Sequence, residues 1–352
     1  MAVEPCLKDI AGLVDVQIEK FFPKKIGKDW LDFALGPAKF HADEKTANAA
    51  VAEPIWDFLS RGGKRWRPAL MFLSCGAAGG DPKSIEEFAV LPELVHNGTI
   101  MVDDVEDCAE LRRGKPCTHK IYGADLAIND ANLLYFLPTV LLYRNTKNLG
   151  DKMRVKIYDV YSEEMLRLSF GQAMDIYWHN GKGGEISEKQ YLQMCHYKTG
   201  TLASFAAKLG AILAGADGKK VQALGDFAAT IGTGFQIQDD ILNLFPSKGW
   251  GKETGEDIAE GKRSLLAIHA LAHAPKAESA RLLEILNSRQ NTKDEIKGAI
   301  KIIKTQGSAD YARKTAADLV SDAWNRLNPV IDESESKAKL KEFADYLINR
   351  KL

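Results

Sequence analysis

The chain has 352 residues, of which 45% are hydrophobic and 27% charged, and its formal net charge is −1. That is enough apolar material for a large buried core in one or two domains, and it leaves no global basic field to draw nucleic acid. The five cysteines, Cys6, Cys75, Cys108, Cys117 and Cys195, are odd in number and contain no CxxC pair, which suits free thiols in a reducing compartment rather than a disulfide framework or a zinc site.

The N-terminus shows no basic region followed by an apolar run. No apolar run reaches the roughly 18 residues that span a bilayer, so the expectation is a soluble, cytoplasmic protein. Residues 1–45 read as a peripheral helical extension, with a short amphipathic helix near 9–22, a lysine-rich turn and then Trp30–Leu35; residues 46–352 read as the main domain. Within it, helices are predicted near 46–60 and 68–79, with Pro68 in a first turn. A central helix follows at about 84–108, kinked at Pro92. Further helices are predicted near 124–146, 151–178, 187–215, 218–245, 262–287, 293–304, 308–327 and 335–350, with loops at 181–184 and 246–261. Strand-like alternation is scarce, so the fold class is all-α, a single large helical bundle.

The central helix carries the densest chemistry. Glu93, His96, Ile100, Asp103 and Asp107 recur at spacings of three, four, three and four, which places them on one helix face. Asp104 sits beside that face. Three carboxylates this close repel one another unless a cation lies between them, and hard divalent cations take carboxylate oxygens. A solvated acidic surface is the bland alternative.

A second acidic group lies at Asp239 and Asp240, with Gln236 and Asn243 one turn to either side. It is set among Ile231, Phe235, Ile237, Ile241 and Leu242, where an unpaired carboxylate is costly. Gly232 and Gly234 inside the same helix each cost about 1 kcal/mol relative to alanine, which points to a close approach to the backbone. The Asn243 amide oxygen is free to face a cation or water.

Basic groups cluster near turns. Lys64 and Arg67 occupy a loop-to-helix junction, a natural anion site. Arg112 and Arg113 follow shortly after Asp107, and arginine forks match phosphate oxygens. Lys198, beside Thr199 and Gly200, interrupts an apolar helix and can snorkel to solvent or reach a phosphate. Lys252, Asp257 and Lys262 fall in the polar loop after the second acidic group. Each of these, taken alone, is also compatible with an ordinary solvated surface.

Together the stretches form an ordered set: GGKRxRP at 62–68, ExxHxxxxxxDDxxD at 93–107, RRGxP at 112–116, GQxxD at 171–175, KT at 198–199, FQxxDD at 235–240 and KxxGxDIxEGK at 252–262. The set resembles the trans-isoprenyl (polyprenyl) diphosphate synthase family, and geranylgeranyl diphosphate synthases in particular, over roughly residues 40–345. The resemblance implies an isoprenoid synthase-type fold around a deep central cavity, usually as a homodimer, with residues 46–352 as the catalytic domain. It implies Mg²⁺ as cofactor, about three ions per site with Mn²⁺ a possible substitute. Asp103, Asp107 and Asp239 look like direct ligands, with Asp104, Asp240 and Asp257 in support. Arg112, Lys198 and Lys252 would hold an allylic diphosphate; Lys64, Arg67, His96 and Arg113 would hold isopentenyl diphosphate. Gln172, Asp175, Thr199 and Gln236 would line the reacting end, with Lys262 among the substrate-binding residues. Lys198, Thr199, Gln236, Asp103 and Asp239 carry the chemistry in this reading. No protein base is named, because in the family released diphosphate takes the proton. Many relatives have Asp where this chain has Asn243, which puts a third ligand there in doubt.

The implied reaction joins isopentenyl diphosphate to dimethylallyl, geranyl or farnesyl diphosphate. Val95, Gly98, Thr99 and Val102 flank the metal face. Relatives that stop at farnesyl diphosphate usually carry aromatic residues where this chain has Gly98 and Thr99. The small pair predicts a longer product, with geranylgeranyl diphosphate foremost. Tyr135 and Phe136 are candidates for a deeper floor, or plain core aromatics. A class I terpene cyclase is the competing enzyme, and a non-catalytic subunit of a heteromeric synthase the competing non-enzyme. The first has no use for Lys64, Arg67 and Arg113, and the second usually loses one acidic motif.

Overall fold

The computed structural model describes residues 3–246, 254–288 and 290–349. The first half runs through α1 (Val3–Phe21), α2 (Lys28–Leu35), α3 (Glu44–Ala47), α4 (Glu53–Leu59), α5 (Trp66–Ala77), α6 (Val90–Glu106), α7 (Thr118–Tyr122), α8 (Ala124–Phe136), α9 (Val140–Arg144) and α10 (Asp151–His179). The second half carries α11 (Glu188–Cys195), α12 (Thr201–Leu213), α13 (Gly218–Leu244), α14 (Glu256–Ala259), α15 (Leu265–His273), α16 (Lys276–Asn287), α17 (Lys293–Thr305), α18 (Ser308–Leu327) and α19 (Glu335–Asn349). Among the described residues the only strands are β1 (Leu111–Arg112) and β2 (Lys115–Pro116), an antiparallel hairpin with Leu111 opposite Pro116. The all-α bundle expected from the sequence is what forms.

α12 is the axis of the bundle. Every residue from Thr201 to Ile212 is buried, the one charge among them, Lys208, paired with Glu164 at 2.7 Å, and α5, α10 and α13 pack around the helix. The main core gathers Phe58, Leu70, Leu91, Leu94, Phe205 and Phe227. A smaller core under the second half joins Trp178, Tyr191, Ile237, Ile241, Leu265 and Ile285. Residues 1–45 feed the main core directly: Leu7, Val14, Ile18 and Phe22 are buried in it, and Trp30 Nε1 donates to the Phe21 carbonyl at 2.8 Å.

Prolines redraw three of the expected helices. The central helix does not start near residue 84; Pro82–Ala89 is a 3-10 turn and α6 begins at Val90. Pro92 therefore sits in the first turn, where its missing N–H costs nothing, and it does not kink the helix interior. The single helix expected at 262–287 is two, separated by Pro275, which precedes α16. Pro138 lies in a 3-10 turn, Leu137–Thr139, that divides the helix expected at 124–146. Against the sequence expectation, Ala124–Arg144 is long and apolar enough by composition to cross a bilayer, with a mean hydropathy of 1.2. Half of that stretch is buried inside the bundle, as a core helix would be.

Candidate active site

The two acidic groups face a common space. Asp103 and Asp107 on α6, and Asp239 and Asp240 on α13, line one cavity of about 530 Å³. Arg112, Arg113, Asp175, Lys198, Asp257 and Lys262 line it as well. Among the described residues no three carboxylate, histidine or cysteine side chains converge into a ready-made metal cage. An ion that completes its shell with substrate phosphates and water needs none.

Lysines stand between the carboxylates. Lys198 Nζ lies 2.6 Å from Asp175 Oδ2 and 3.1 Å from Asp103 Oδ1. Lys262 Nζ lies 3.6 Å from both Asp107 and Asp257, and also pairs with Glu260. Gln172 Nε2 donates to Asp103 Oδ1 at 2.9 Å and to Glu106 Oε2 at 2.7 Å. Asp104 turns away from the cavity: it is buried, and Arg112 Nε donates to its Oδ1 at 2.7 Å. The arginine-rich turn is thus not a free basic loop. It is the β1–β2 hairpin, anchored to α6 through Asp104, with Arg113 at φ 54° and Gly114 at φ 75° closing the turn.

Lys198 owes its position to a defect in a helix. The helix expected across 187–215 contains a π turn, His196–Gly200, between α11 and α12, and such bulges recur at functional sites. Two glycines make room for it. A Cβ on Gly171 of α10 would fall 2.3 Å from Lys198 N, and one on Gly232 of α13 would fall 2.7 Å from Gly200 Cα. The close approach that the glycines of α13 foretold is therefore by neighbouring protein; Gly234 meets Ile348 and Val320.

A chain of hydrogen bonds joins this turn to the second acidic group. Thr199 Oγ1 donates to Gln236 Oε1 at 2.8 Å, and Gln236 Nε2 donates to Asp240 Oδ1 at 2.9 Å. Tyr191 Oη donates to Asp240 Oδ2 at 2.7 Å. Asn243 lines the cavity beside Asp239 and Asp240. Its Oδ1 also accepts from Asp257 N at 3.2 Å and its carbonyl from Gly255 N at 3.0 Å, so it holds the following loop as well. Lys252 lies outside the described residues.

The electrostatics call for a cation. Burial, then the charge of Asp103, pushes Asp107 up to about 7. Burial, then Asp257, pushes Asp240 up to about 8. Asp103 goes the other way: burial opposes its ionisation, but Lys198 and Lys262 overcome it and hold the carboxyl well below the usual range. Asp104 Oδ2 is buried with no hydrogen-bond partner. Carboxylates that resist losing their protons in a shared, poorly solvated wall are suited to multivalent metal ions.

The residues expected to hold the second diphosphate divide into three kinds. Arg65, the unassigned arginine of the 62–68 motif, is buried at φ 47° and donates to Glu93 at 2.7 Å, Asp15 at 3.0 Å and the Leu59 carbonyl at 3.2 Å. It and Glu93 are a structural clasp. Arg67 and Arg113 are different. The Arg67 guanidinium lies 4.3 Å over Trp66 and that of Arg113 5.2 Å over Phe58. Arg67 Nε and Arg113 Nη1 are buried without a partner. Burial lowers both to about 10, with Arg65 adding to the effect on Arg113. Burial, then the surrounding arginines, hold His96 well below its ordinary value. Excess positive charge with open donors fits an anion. Lys64 is exposed at the turn beside them.

The chain-length candidates separate. Val95 is fully buried. Thr99 is half-buried and donates to the His96 carbonyl at 2.7 Å. Gly98 lies against α8, where a Cβ would meet the Ala131 carbonyl at 2.8 Å and Tyr135 Cδ1 at 3.2 Å; its smallness serves helix packing. Tyr135 is at the same contact. Phe136 is 67% exposed in the single chain, so it is not an interior floor; α8 turns Ala127, Ala131 and Leu134 inward instead. Nothing in the sequence marks Tyr191 except its spacing of seven from Lys198, two turns along one helix face.

A sequence model of the polyprenyl synthetase family matches residues 48–303. The chain is 34% identical over 294 residues to the short chain isoprenyl diphosphate synthase of Methanothermobacter thermautotrophicus, covering 83% of this chain and 88% of that one. It is equally 34% identical over 294 residues to the geranylgeranyl diphosphate synthase of Methanosarcina mazei, covering 83% and 87%. The geranylgeranyl pyrophosphate synthetase of Pyrococcus horikoshii superposes with a TM-score of 0.84 at 28% identity, over 99% of this chain and 100% of that one.

Proposed function

The chain belongs to the polyprenyl synthetase family, and from that premise we propose that it condenses isopentenyl diphosphate with dimethylallyl, geranyl and farnesyl diphosphates to give geranylgeranyl diphosphate. The observation that carries this reading is the shared cavity. Two acidic walls from distant parts of the chain enclose it, and the Arg67–Arg113–His96 cluster offers a second, metal-free anion site. A terpene cyclase, with one diphosphate to bind, has no use for that cluster. A non-catalytic subunit usually loses one of the two acidic motifs, and this chain keeps both.

Asp103, Asp107 and Asp239 are the residues to hold Mg²⁺, with Asp104, Asp240 and Asp257 behind them; Mn²⁺ suits the same oxygens. When bound, the metal supplies Lewis-acid withdrawal from the leaving diphosphate. The chain does the rest. Lys198, Arg112 and Lys262 clamp the allylic diphosphate, and Lys252 is assigned to the same task by its motif. Thr199 and Gln236 turn oxygen toward the carbon that becomes positive, and Gln172 and Asp175 keep Asp103 and Lys198 in place. Arg67, Arg113, Lys64 and His96 hold isopentenyl diphosphate so that its double bond meets that carbon.

Exposed apolar side chains on α8 and α10, among them Ile128, Val155, Leu166, Phe170 and Tyr177, support a homodimer through these helices. Five free thiols support a reducing compartment, the cytoplasm. The test is incubation with labelled isopentenyl diphosphate, each allylic primer and Mg²⁺. Geranylgeranyl diphosphate as the main product upholds the proposal. Absence of any condensation product, or release of a cyclic hydrocarbon, overturns it.

A further inference from the structure

The buried phenol of Tyr191 belongs to no motif and lies at the end of the hydrogen-bond chain that leads to Thr199. We infer that Tyr191 is a positioning residue, fixing through Asp240 the direction in which the Gln236 amide presents its oxygen. The inference rests on the condensation reading given above.

The argument is geometric. A glutamine amide has two nearly equivalent orientations, and only its hydrogen bonds choose between them. Gln236 is held at both ends: its oxygen accepts from Thr199 Oγ1 at 2.8 Å, and its nitrogen donates to Asp240 Oδ1 at 2.9 Å. The second contact has directional force only while Asp240 keeps its own orientation. Asp240 is 6% exposed, and its other oxygen, Oδ2, accepts from Tyr191 Oη at 2.7 Å. Tyr191 is itself 1% exposed, packed in the smaller core and rooted in α11. With both carboxylate oxygens engaged by protein donors, Asp240 acts as a bracket between α11 and α13. Asp239, one residue earlier, lines the cavity together with Asp240 and Tyr191. Removing the phenol oxygen frees Oδ2, lets the carboxylate rotate, and releases the amide to flip its nitrogen toward the reacting carbon. A cation-facing oxygen would then be replaced by an N–H donor.

Tyr191→Phe removes one oxygen and keeps the ring in the core. The test measures steady-state kinetics for farnesyl and isopentenyl diphosphates with Mg²⁺, for wild type, Tyr191→Phe, Gln236→Ala and the double variant. The expected result is a kcat lowered about tenfold or more, the worth of one hydrogen bond to a charged group, with both KM values within about twofold of wild type. In the Gln236→Ala background the same substitution should change kcat by less than about twofold, because the two residues act through one chain. An unchanged kcat in Tyr191→Phe overturns the inference. So does an equal loss in both backgrounds, whether or not the melting temperature has dropped, since that is the signature of a purely structural tyrosine. Wild type without condensation activity would instead overturn the functional reading itself.

Discussion

Lys198 and Asp103 are 95 residues apart in the chain, yet the ammonium of one lies 3.1 Å from the carboxylate of the other. Lys198 reaches the same distance range from Asp175, at 2.6 Å, so one cation stands between two acids inside a wall. Lys198→Ala leaves both without it. The expected outcome is a loss of about a hundredfold in kcat/KM for the allylic substrate, with a lowered melting temperature in metal-free buffer that Mg²⁺ partly restores. A melting temperature that is unchanged without metal would show that the lysine does not hold the wall together.

The Arg67–Arg113 site makes a separate prediction. Both guanidiniums lie over aromatic rings with a buried nitrogen lacking a partner. Lysine keeps the charge but loses the fork and the stacking. Arg113→Lys should raise KM for isopentenyl diphosphate about tenfold and leave KM for the allylic primer within about twofold. A rise confined to the allylic primer would assign Arg113 to the other diphosphate.

Product length separates two neighbouring residues. Thr99 is half-buried beside the metal face, whereas Gly98 is pressed against the α8 backbone. Thr99→Phe should shift the product toward farnesyl diphosphate, read by chromatography of the dephosphorylated products. Gly98→Ala should lower the melting temperature by forcing α6 and α8 apart, at about 1–3 kcal/mol for overpacking. An unaltered product distribution in Thr99→Phe would remove that residue from the chain-length path.

Asp130 gives a pH signature away from the cavity. It is buried on α8, its Oδ2 has no hydrogen-bond partner, and burial pushes it up to about 7. A carboxyl raised above its unfolded value costs nothing below about pH 4 and progressively more as pH rises to about 7, because the unfolded chain has already released the proton. Asp130→Asn should therefore match wild type in melting temperature near pH 4 and exceed it near pH 8. A difference independent of pH would mean that the carboxyl is not buried as a neutral acid.

Much of this was legible before any coordinates. Helices could be located because apolar residues recur at helical period, and the ends near Ser187, Asp217, Ser264 and Thr292 carry capping side chains that the structure uses. Asp103 and Asp107 share a face for the same local reason. Where a proline intervened, at Pro92, Pro138 and Pro275, position within the helix decided its effect, and periodicity does not specify that position.

What the sequence determined by itself was the inventory: an all-helical chain, two acidic groups, several local basic sites, and a family to which the ordered set belongs. Tertiary structure alone decided the partnerships. Arg65 looked like its neighbours Lys64 and Arg67, but became a clasp on Glu93, and Asn243 became a loop anchor. Gly98 became a helix contact, and Phe136 went to the surface. Tyr191 was joined to Asp240 from 49 residues away. The reason is range. Helix periodicity is set by bonds between residues four apart, whereas a charge or a phenol in a poorly solvated interior is governed by whichever group lies within about 3–4 Å, and only packing chooses that neighbour.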